Sequence, residues 1–269
     1  MKFYYFGAFI EELKELEDSG FSGVLFTFDN QQGDLFTRIA SVANQTKHIK
    51  LMVAIRPYVI SPQYLCMINQ SMESISPRRL QLNLISGHIK EHEKKIGGIV
   101  GNVDDLSSSI DKSNYLISFL DSINSITKPE HNPTYIPDFY VSTTNPYVFN
   151  AASKHKNKMI VQYREFLKQN WTEYYDNGMH EGAKFDLTGQ KVMVSVGPII
   201  RKTQEEIDVL DKPYLTNDTD YFTYDQFKSA IKDLEDNGID EILMFAWPAE
   251  EQRYIIDFVK EYTKKQIGK

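Results

Sequence analysis

Apolar and polar positions along the chain follow two rhythms. Short runs such as GVLFTF from Gly23, KLMVAI from Lys50 and LQLNLI from Leu80 are apolar almost throughout, as expected of parallel strands covered on both faces. Between them, apolar residues recur every three or four positions, the signature of amphipathic helices. The pattern predicts strands at 2–7, 23–28, 49–55, 80–85, 138–141, 158–162, 191–196 and 241–246. A helix around Leu13 and Leu16 stops at Gly20, and further helices are predicted at 35–43, 63–75, 109–123, 146–154, 164–175, 224–237 and 250–264. Strands alternating with helices in this number predict an α/β fold, a (β/α)8 TIM barrel forming a single domain over 1–269. An open doubly wound sheet is the alternative.

A barrel places its functional groups at the carboxyl ends of its strands. The loops there become the region to search. Two segments, 87–106 and 172–190, exceed usual loop lengths and read as binding elements or lids. The segment 208–220 is polar and breaks helical periodicity, so it reads as an insertion.

Composition narrows the partners. The net charge of -7 and the lack of a continuous Lys/Arg stripe argue against nucleic acid. Cys66 is the sole cysteine, so neither an intrachain disulfide nor a Cys-rich metal site is possible. A single thiol fits a cytoplasmic protein. The amino-terminal segment carries Glu11, Glu12 and Glu15 in place of a small-residue cleavage site, and it reads as a strand leading into a helix. No apolar run approaches the roughly 18 to 20 residues of a membrane span, so no membrane partner is expected.

Several residues could carry chemistry. Ser142, Thr143 and Thr144, followed by Asn145, join the fifth strand to a helix, where hydroxyls and free amides suit either a phosphate or an ordinary cap. His88, Glu91 and His92 match H-x-x-E-H, which on a helix would mark a metallohydrolase. Alternatively, His88 alone lines the site, and its near-neutral pKa suits a local acid or base, the one catalytic candidate. Arg56, ending the third strand, offers a forked donor set for an anion or a rim salt bridge. Trp247, ending the eighth, could stack on a flat ring or plug the barrel. Arg78 and Arg79 precede the fourth strand on the amino-terminal face, where residues serve stability. Aromatic lumen residues and Met244 suggest a partly apolar substrate.

These segments also form an ordered series: GFSGV from Gly20, TKHIKL from Thr46, VAIRPYVISP from Val53, ISPRRLQLNLISG from Ile75, the hydroxyl-rich turn at Ser142, IIRKT from Ile199 and GIDEILMFAWP from Gly238. The series resembles the bacterial luciferase-like flavin monooxygenases, most nearly their alkanesulfonate monooxygenase branch. The resemblance spans nearly the whole chain and is densest between residues 20 and 88. It implies a barrel that takes reduced FMN from a separate flavin reductase and uses O2 on a small organic substrate, with deazaflavin F420 as the alternative cofactor. It also implies a homodimer or heterodimer formed through helices of the amino-terminal half. Ser142, Thr143 and Thr144 then fall on the flavin-phosphate turn, and Ala54 on the bulge against the flavin ring. Ser86 neighbours that ring, and Asn83 faces the lumen one alternation further in.

The chain departs from the alkanesulfonate pattern where that branch binds its substrate. Ser195 and Gly197 stand in place of an Arg and a His, and Trp247 and Ala249 in place of a Tyr and a His. Gly87-His88 replaces a Gly-Gly pair, Lys112-Ser113-Asn114 replaces Arg-Tyr-Glu, and the insertion between strands seven and eight is shortened. A sulfonate needs cationic donors, so these changes imply a substrate other than an ordinary alkanesulfonate. They equally motivate a catalytically silent flavin-binding paralogue or heterodimer partner.

Overall fold

The computed structural model describes residues 1–7, 10–27, 33–85, 109–126, 138–142, 146–162, 173–175, 184–186, 189–210, 220–246 and 248–267. From β1 (Lys2–Phe6) the chain enters α1 (Leu13–Asp18), β2 (Gly23–Thr27), α2 (Leu35–Val42), β3 (Lys50–Ile55), α3 (Pro62–Ile75) and β4 (Leu80–Ile85). It continues through α4 (Ser109–Ile126), β5 (Asp138–Ser142), α5 (Pro146–Lys154) and β6 (Lys158–Gln162). A short antiparallel pair, β7 (Glu173–Tyr175) and β8 (Lys184–Asp186), precedes β9 (Val192–Val196). Then come β10 (Pro198–Arg201), α6 (Gln204–Asp208), β11 (Asp220–Thr223), α7 (Tyr224–Asp236), β12 (Glu241–Phe245) and α8 (Gln252–Ile267).

Eight parallel strands close in the order β1-β12-β9-β6-β5-β4-β3-β2, which is the (β/α)8 barrel. The open-sheet alternative is thereby removed. Register fixes which residues look inward: Tyr4 pairs with Gly23, Leu25 with Met52, Met52 with Gln81, Gln81 with Asp138, Tyr140 with Lys158, and Ile160 with Met193. These share one face, and most of the apolar ones pack together as a lumen cluster with Ala54 and Leu243. The other face, with Val24, Leu82, Val141, Val194 and Ile242, joins the helices in the larger core. That double coverage explains the nearly continuous apolar strands. Gly23 is required by this arrangement, because a Cβ there would overlap the ring of Tyr4.

Local chemistry sets the helix starts. Asp34 accepts the Thr37 N–H at 2.7 Å to open α2, and Ser61 accepts that of Tyr64 at 3.2 Å ahead of Pro62 in α3. Thr203 with Glu206 and Thr223 with Gln226 form capping boxes on α6 and α7. On the amino-terminal face, the buried Arg79 guanidinium donates to the carbonyls of Ile49, Ala43 and Thr46 at 2.8 to 2.9 Å. Glu17 accepts the N–H groups of Lys47, His48 and Ile49 at 2.6 to 2.9 Å. Burial opposes ionisation of Glu17, yet those three donors hold its pKa below the ordinary value. Arg79 therefore has the stabilising role expected of this face.

One expectation needs correction. Residues 164–175 do not form one helix: Glu173–Tyr175 is a strand whose Tyr174 registers with Phe185, and β-favouring aromatic residues at that pairing override the helical spacing. The IIRKT segment holds β10, which pairs in parallel with β11 outside the barrel, so the presumed insertion ends in ordered strand at Asp220. Arg201 anchors this small sheet. Its buried guanidinium meets Glu251 at 2.6 and 2.8 Å and lies 3.7 Å from the ring centroid of Tyr254.

Candidate functional site

The barrel lumen divides into two ends of different chemistry. At the amino-terminal end, Lys158 Nζ donates to the Tyr140 hydroxyl at 2.9 Å and approaches Glu241 at 3.3 Å and Asp138 at 3.5 Å. The Tyr140 hydroxyl donates to Glu241 at 3.0 Å, and Lys2 reaches Asp240 at 2.9 Å and Glu241 at 3.4 Å. Gln81 joins through Asp138 at 3.2 Å. Burial pushes the Tyr4 phenol up to about 12, with the Glu241 charge adding to it, and burial raises Tyr140 as well. Both phenols therefore stay protonated at physiological pH, and the network is a charged floor whose outer members Lys2, Asp138 and Asp240 reach solvent.

Apart from Arg56, the carboxyl end carries mainly neutral groups among the described residues. Ala54, one residue before the end of β3, registers with Thr27 on one side and Asn83 on the other, and only 3% of its surface is exposed. Ser142, ending β5, donates its hydroxyl to Asn83 Oδ1 at 3.0 Å. Ile85 registers with Ser142 and packs at the edge of the lumen cluster. Across the mouth, Phe6 and Phe245 meet edge to face, with centroids 6.4 Å apart and planes at 87°. Ser195 registers with the lumen-facing Leu243, and the ring of Phe245 fills the space that a Cβ on Gly197 would need.

Ala54, Asn83 and Ser142 are thus brought together at the rim. Arg56 follows directly on β3; it is buried, with its guanidinium carbon 5.7 Å from the Tyr58 ring centroid. Ser86, His88, Glu91, His92, Thr143, Thr144 and Trp247 lie outside the described residues. Among the described residues no group of three or more His, Cys, Asp or Glu side chains could hold a metal ion. None of their helices is long and apolar enough to cross a membrane.

Met244 corrects the expected lumen lining. It is fully buried on the outer face of β12, in the layer between barrel and helices. Strand alternation explains this, since its neighbours Leu243 and Phe245 cannot share its face and Leu243 lies in the lumen. Sequence reasoning also missed the facing of Phe6 with Phe245 and the dependence of that ring on Gly197. The signal was available: both Phe residues fall at strand ends in the inward parity, directly opposed across β1 and β12.

The three rim residues are uncharged and include hydrogen-bonding groups. Ala54 presents only a methyl group, Asn83 and Ser142 supply an amide and a hydroxyl, and the carboxylates of Asp138 and Glu241 are committed at the opposite end. A charged rim carboxylate would instead repel an anionic ligand.

Solved structures share this fold at low sequence identity. The monooxygenase RslO1 from Streptomyces bottropensis superposes with a TM-score of 0.65 at 15% identity, covering 99% of this chain and 100% of its own. EDTA monooxygenase from Chelativorans sp. BNC1 gives 0.67 at 11%, covering 99% and 94%. The coenzyme F420-dependent tetrahydromethanopterin reductase from Methanopyrus kandleri gives 0.63 at 14%, covering 96% and 97%. The luciferase-like monooxygenase family model matches residues 5–264, which runs from the end of β1 through all the other barrel strands into α8. On that match the chain belongs to the luciferase-like monooxygenase family, and it is an oxidoreductase of the monooxygenase kind.

Proposed function

We propose that the protein is a flavin-dependent monooxygenase that receives reduced FMN from a separate reductase and uses O2 on a small, partly apolar organic substrate other than an ordinary alkanesulfonate. The observation that carries this reading is the neutral rim of Ala54, Asn83 and Ser142 within a family of monooxygenases. The bound flavin supplies the oxygen-activating chemistry. The methyl group of Ala54 lets the ring approach β3, while the Ser142–Asn83 pair offers hydrogen bonds to its polar edge. Thr143 and Thr144 would hold the phosphate with Ser142, Ser86 would neighbour the ring, and Arg56 and Trp247 would border the substrate. His88 would supply a proton-transfer group. The apolar surroundings at Phe6, Ile85 and Phe245 exclude water from the reacting region.

The F420-dependent reductase shares the fold at 14% identity, so F420 remains the competing cofactor. Titration of the protein without oxygen against reduced FMN and reduced F420 separates the two. Admission of isotopically labelled O2 to the complex, with a panel of uncharged organic compounds, then tests oxygenation. Label in a product is the expected result. Failure to bind either reduced cofactor overturns the reading. Tight binding without labelled product favours a silent flavin-binding paralogue, which the absence of a cation or imidazole at Ser195 and Gly197 supports as the second reading.

A dimer formed through the amino-terminal half is part of the same proposal. On α3 the exposed residues Gln63, Tyr64, Met67, Gln70, Ser71, Ser74 and Ile75 include no charge. The exposed side of α7, by contrast, carries Asp225, Lys232, Asp233, Glu235 and Asp236. A neutral face with Tyr64 57% and Met67 53% exposed suits a second protein surface. Met67→Glu should convert a dimer to a monomer in light scattering; an unchanged mass removes α3 from the interface. The cytoplasm is the compartment this reading requires, because a soluble reductase must deliver the cofactor.

A further inference from the structure

Helix α5 begins just after the turn that follows Ser142, and both flanks of that turn are tied to neighbouring elements. On the near side Ser142 donates to Asn83 Oδ1 at 3.0 Å. On the far side Pro146 opens α5, nine residues long, or roughly 13 Å, and its Val148, Phe149 and Ala152 are buried in the core. The carboxyl end of α5 is closed by a Schellman arrangement: the Asn157 N–H donates to the Ala152 carbonyl and the Lys156 N–H to that of Ser153, both at 2.9 Å, with Lys156 at φ 58°. That closure holds the backbone of His155 firmly to the helix. Its side chain reaches sideways, where Nε2 donates to Asp121 Oδ1 of α4 at 2.7 Å. Ser153 accepts a further hydrogen bond from Gln190, which precedes β9.

We propose that His155 and Asp121 are a positioning pair for the cofactor phosphate: their hydrogen bond pins α5 along its axis and so sets where the helix begins relative to Ser142. This rests on the flavin reading, in which that turn takes the phosphate. Apolar burial is non-directional, so the core face of α5 holds the helix down without fixing its position lengthwise. A hydrogen bond from a rigid helix end to α4 supplies the missing coordinate. Donors at a helix amino end must meet phosphate oxygens within the narrow range of a hydrogen bond, so a small shift of α5 costs affinity. The flavin ring, placed against Ala54 in the same reading, does not depend on α5. With Asp121 more than half exposed, the pair contributes little to stability. Its consequence is placement.

The test titrates reduced FMN and reduced riboflavin, which lacks the phosphate, into the full chain without oxygen. The unaltered protein should favour FMN. His155→Ala and Asp121→Ala should each weaken reduced FMN by about fivefold and reduced riboflavin by less than about twofold. The double variant should bind FMN no more weakly than either single one, as expected of two groups that act through one contact. His155→Gln, whose amide can still donate to Asp121, should recover part of the loss.

Equal losses for FMN and riboflavin would reduce the pair to ordinary scaffold and overturn the proposal. So would unchanged FMN affinity in the alanine variants, or losses that add in the double variant. If an alanine variant fails to fold, His155→Gln and Asp121→Asn, which preserve the shapes of the side chains, decide the outcome by the same contrast between the two flavins. An unaltered protein that binds FMN and riboflavin alike keeps the flavin reading and loses this proposal alone. One that binds neither reduced flavin loses both.

Discussion

At one end of the lumen Lys2 and Lys158 pair with Asp138, Asp240 and Glu241 around the Tyr140 hydroxyl. At the other, an amide, a hydroxyl, a methyl group and two aromatic rings lie at the strand ends. The first end is rich in titratable groups, which is where chemistry is usually sought. Its groups, however, are spent on each other, and Lys158 also lies 4.8 Å from the Tyr140 ring centroid. Among the described residues the second end has few titratable groups, and Phe6 and Phe245 there are partly exposed. On the proposed flavin reading, the quiet end is the functional one and the charged end is scaffold.

The largest expected effect comes from breaking the floor. Glu241→Ala leaves the Lys158 ammonium and the Tyr140 hydroxyl without their shared acceptor, at a cost of about 3–5 kcal/mol. Urea unfolding should report that loss while reduced FMN affinity is retained. A collapse of cofactor binding in folded Glu241→Ala would show that the two ends are not independent.

Next is Arg79→Ala, which strips the donors from the carbonyls of Ala43, Thr46 and Ile49. About 2–4 kcal/mol of stability should disappear, again with cofactor affinity kept. Ser142→Ala works in the opposite sense. Losing one hydrogen bond to Asn83 should cost only about 1 kcal/mol of stability, while reduced FMN binding weakens by about tenfold if that hydroxyl also meets the cofactor.

The smallest effect is at Glu17. Its folded-state pKa lies below its ordinary value of 4.5, so the unfolded chain binds the proton first. The stability it contributes is complete above that ordinary value and is lost as pH falls through the folded pKa. Denaturation midpoints measured across the acid range should therefore fall less steeply for Glu17→Gln than for the unaltered chain. Parallel slopes would deny Glu17 that role.

Much of this was legible from the residues. The apolar runs at Gly23, Lys50 and Leu80 announced doubly covered parallel strands, and each lies in the barrel. Arg79 was placed on the stabilising face because it precedes β4, and its carbonyl contacts give that placement a cause. Residues 173–175 were misread because a helical spacing of apolar residues does not reveal a partner strand lying beyond it in sequence. Met244 was misplaced for a simpler reason: an apolar residue near a strand end can face either way until register is known. The floor stayed hidden since Lys158, Tyr140 and Glu241 lie on separate strands and converge only on closure. Of the rim, Ala54, Asn83 and Ser142 were anticipated through strand ends and resemblance, whereas the Gly197–Phe245 dependence required coordinates.

The central claim is that the neutral carboxyl end holds the flavin. The most direct measurement is titration without oxygen of reduced FMN into the unaltered protein and into Ala54→Leu, whose larger side chain would stand where the ring approaches β3. Saturable binding at about one flavin per chain, weakened by at least about a hundredfold in the folded variant, is the predicted result. Equal affinity in both proteins, or no binding in either, would contradict it.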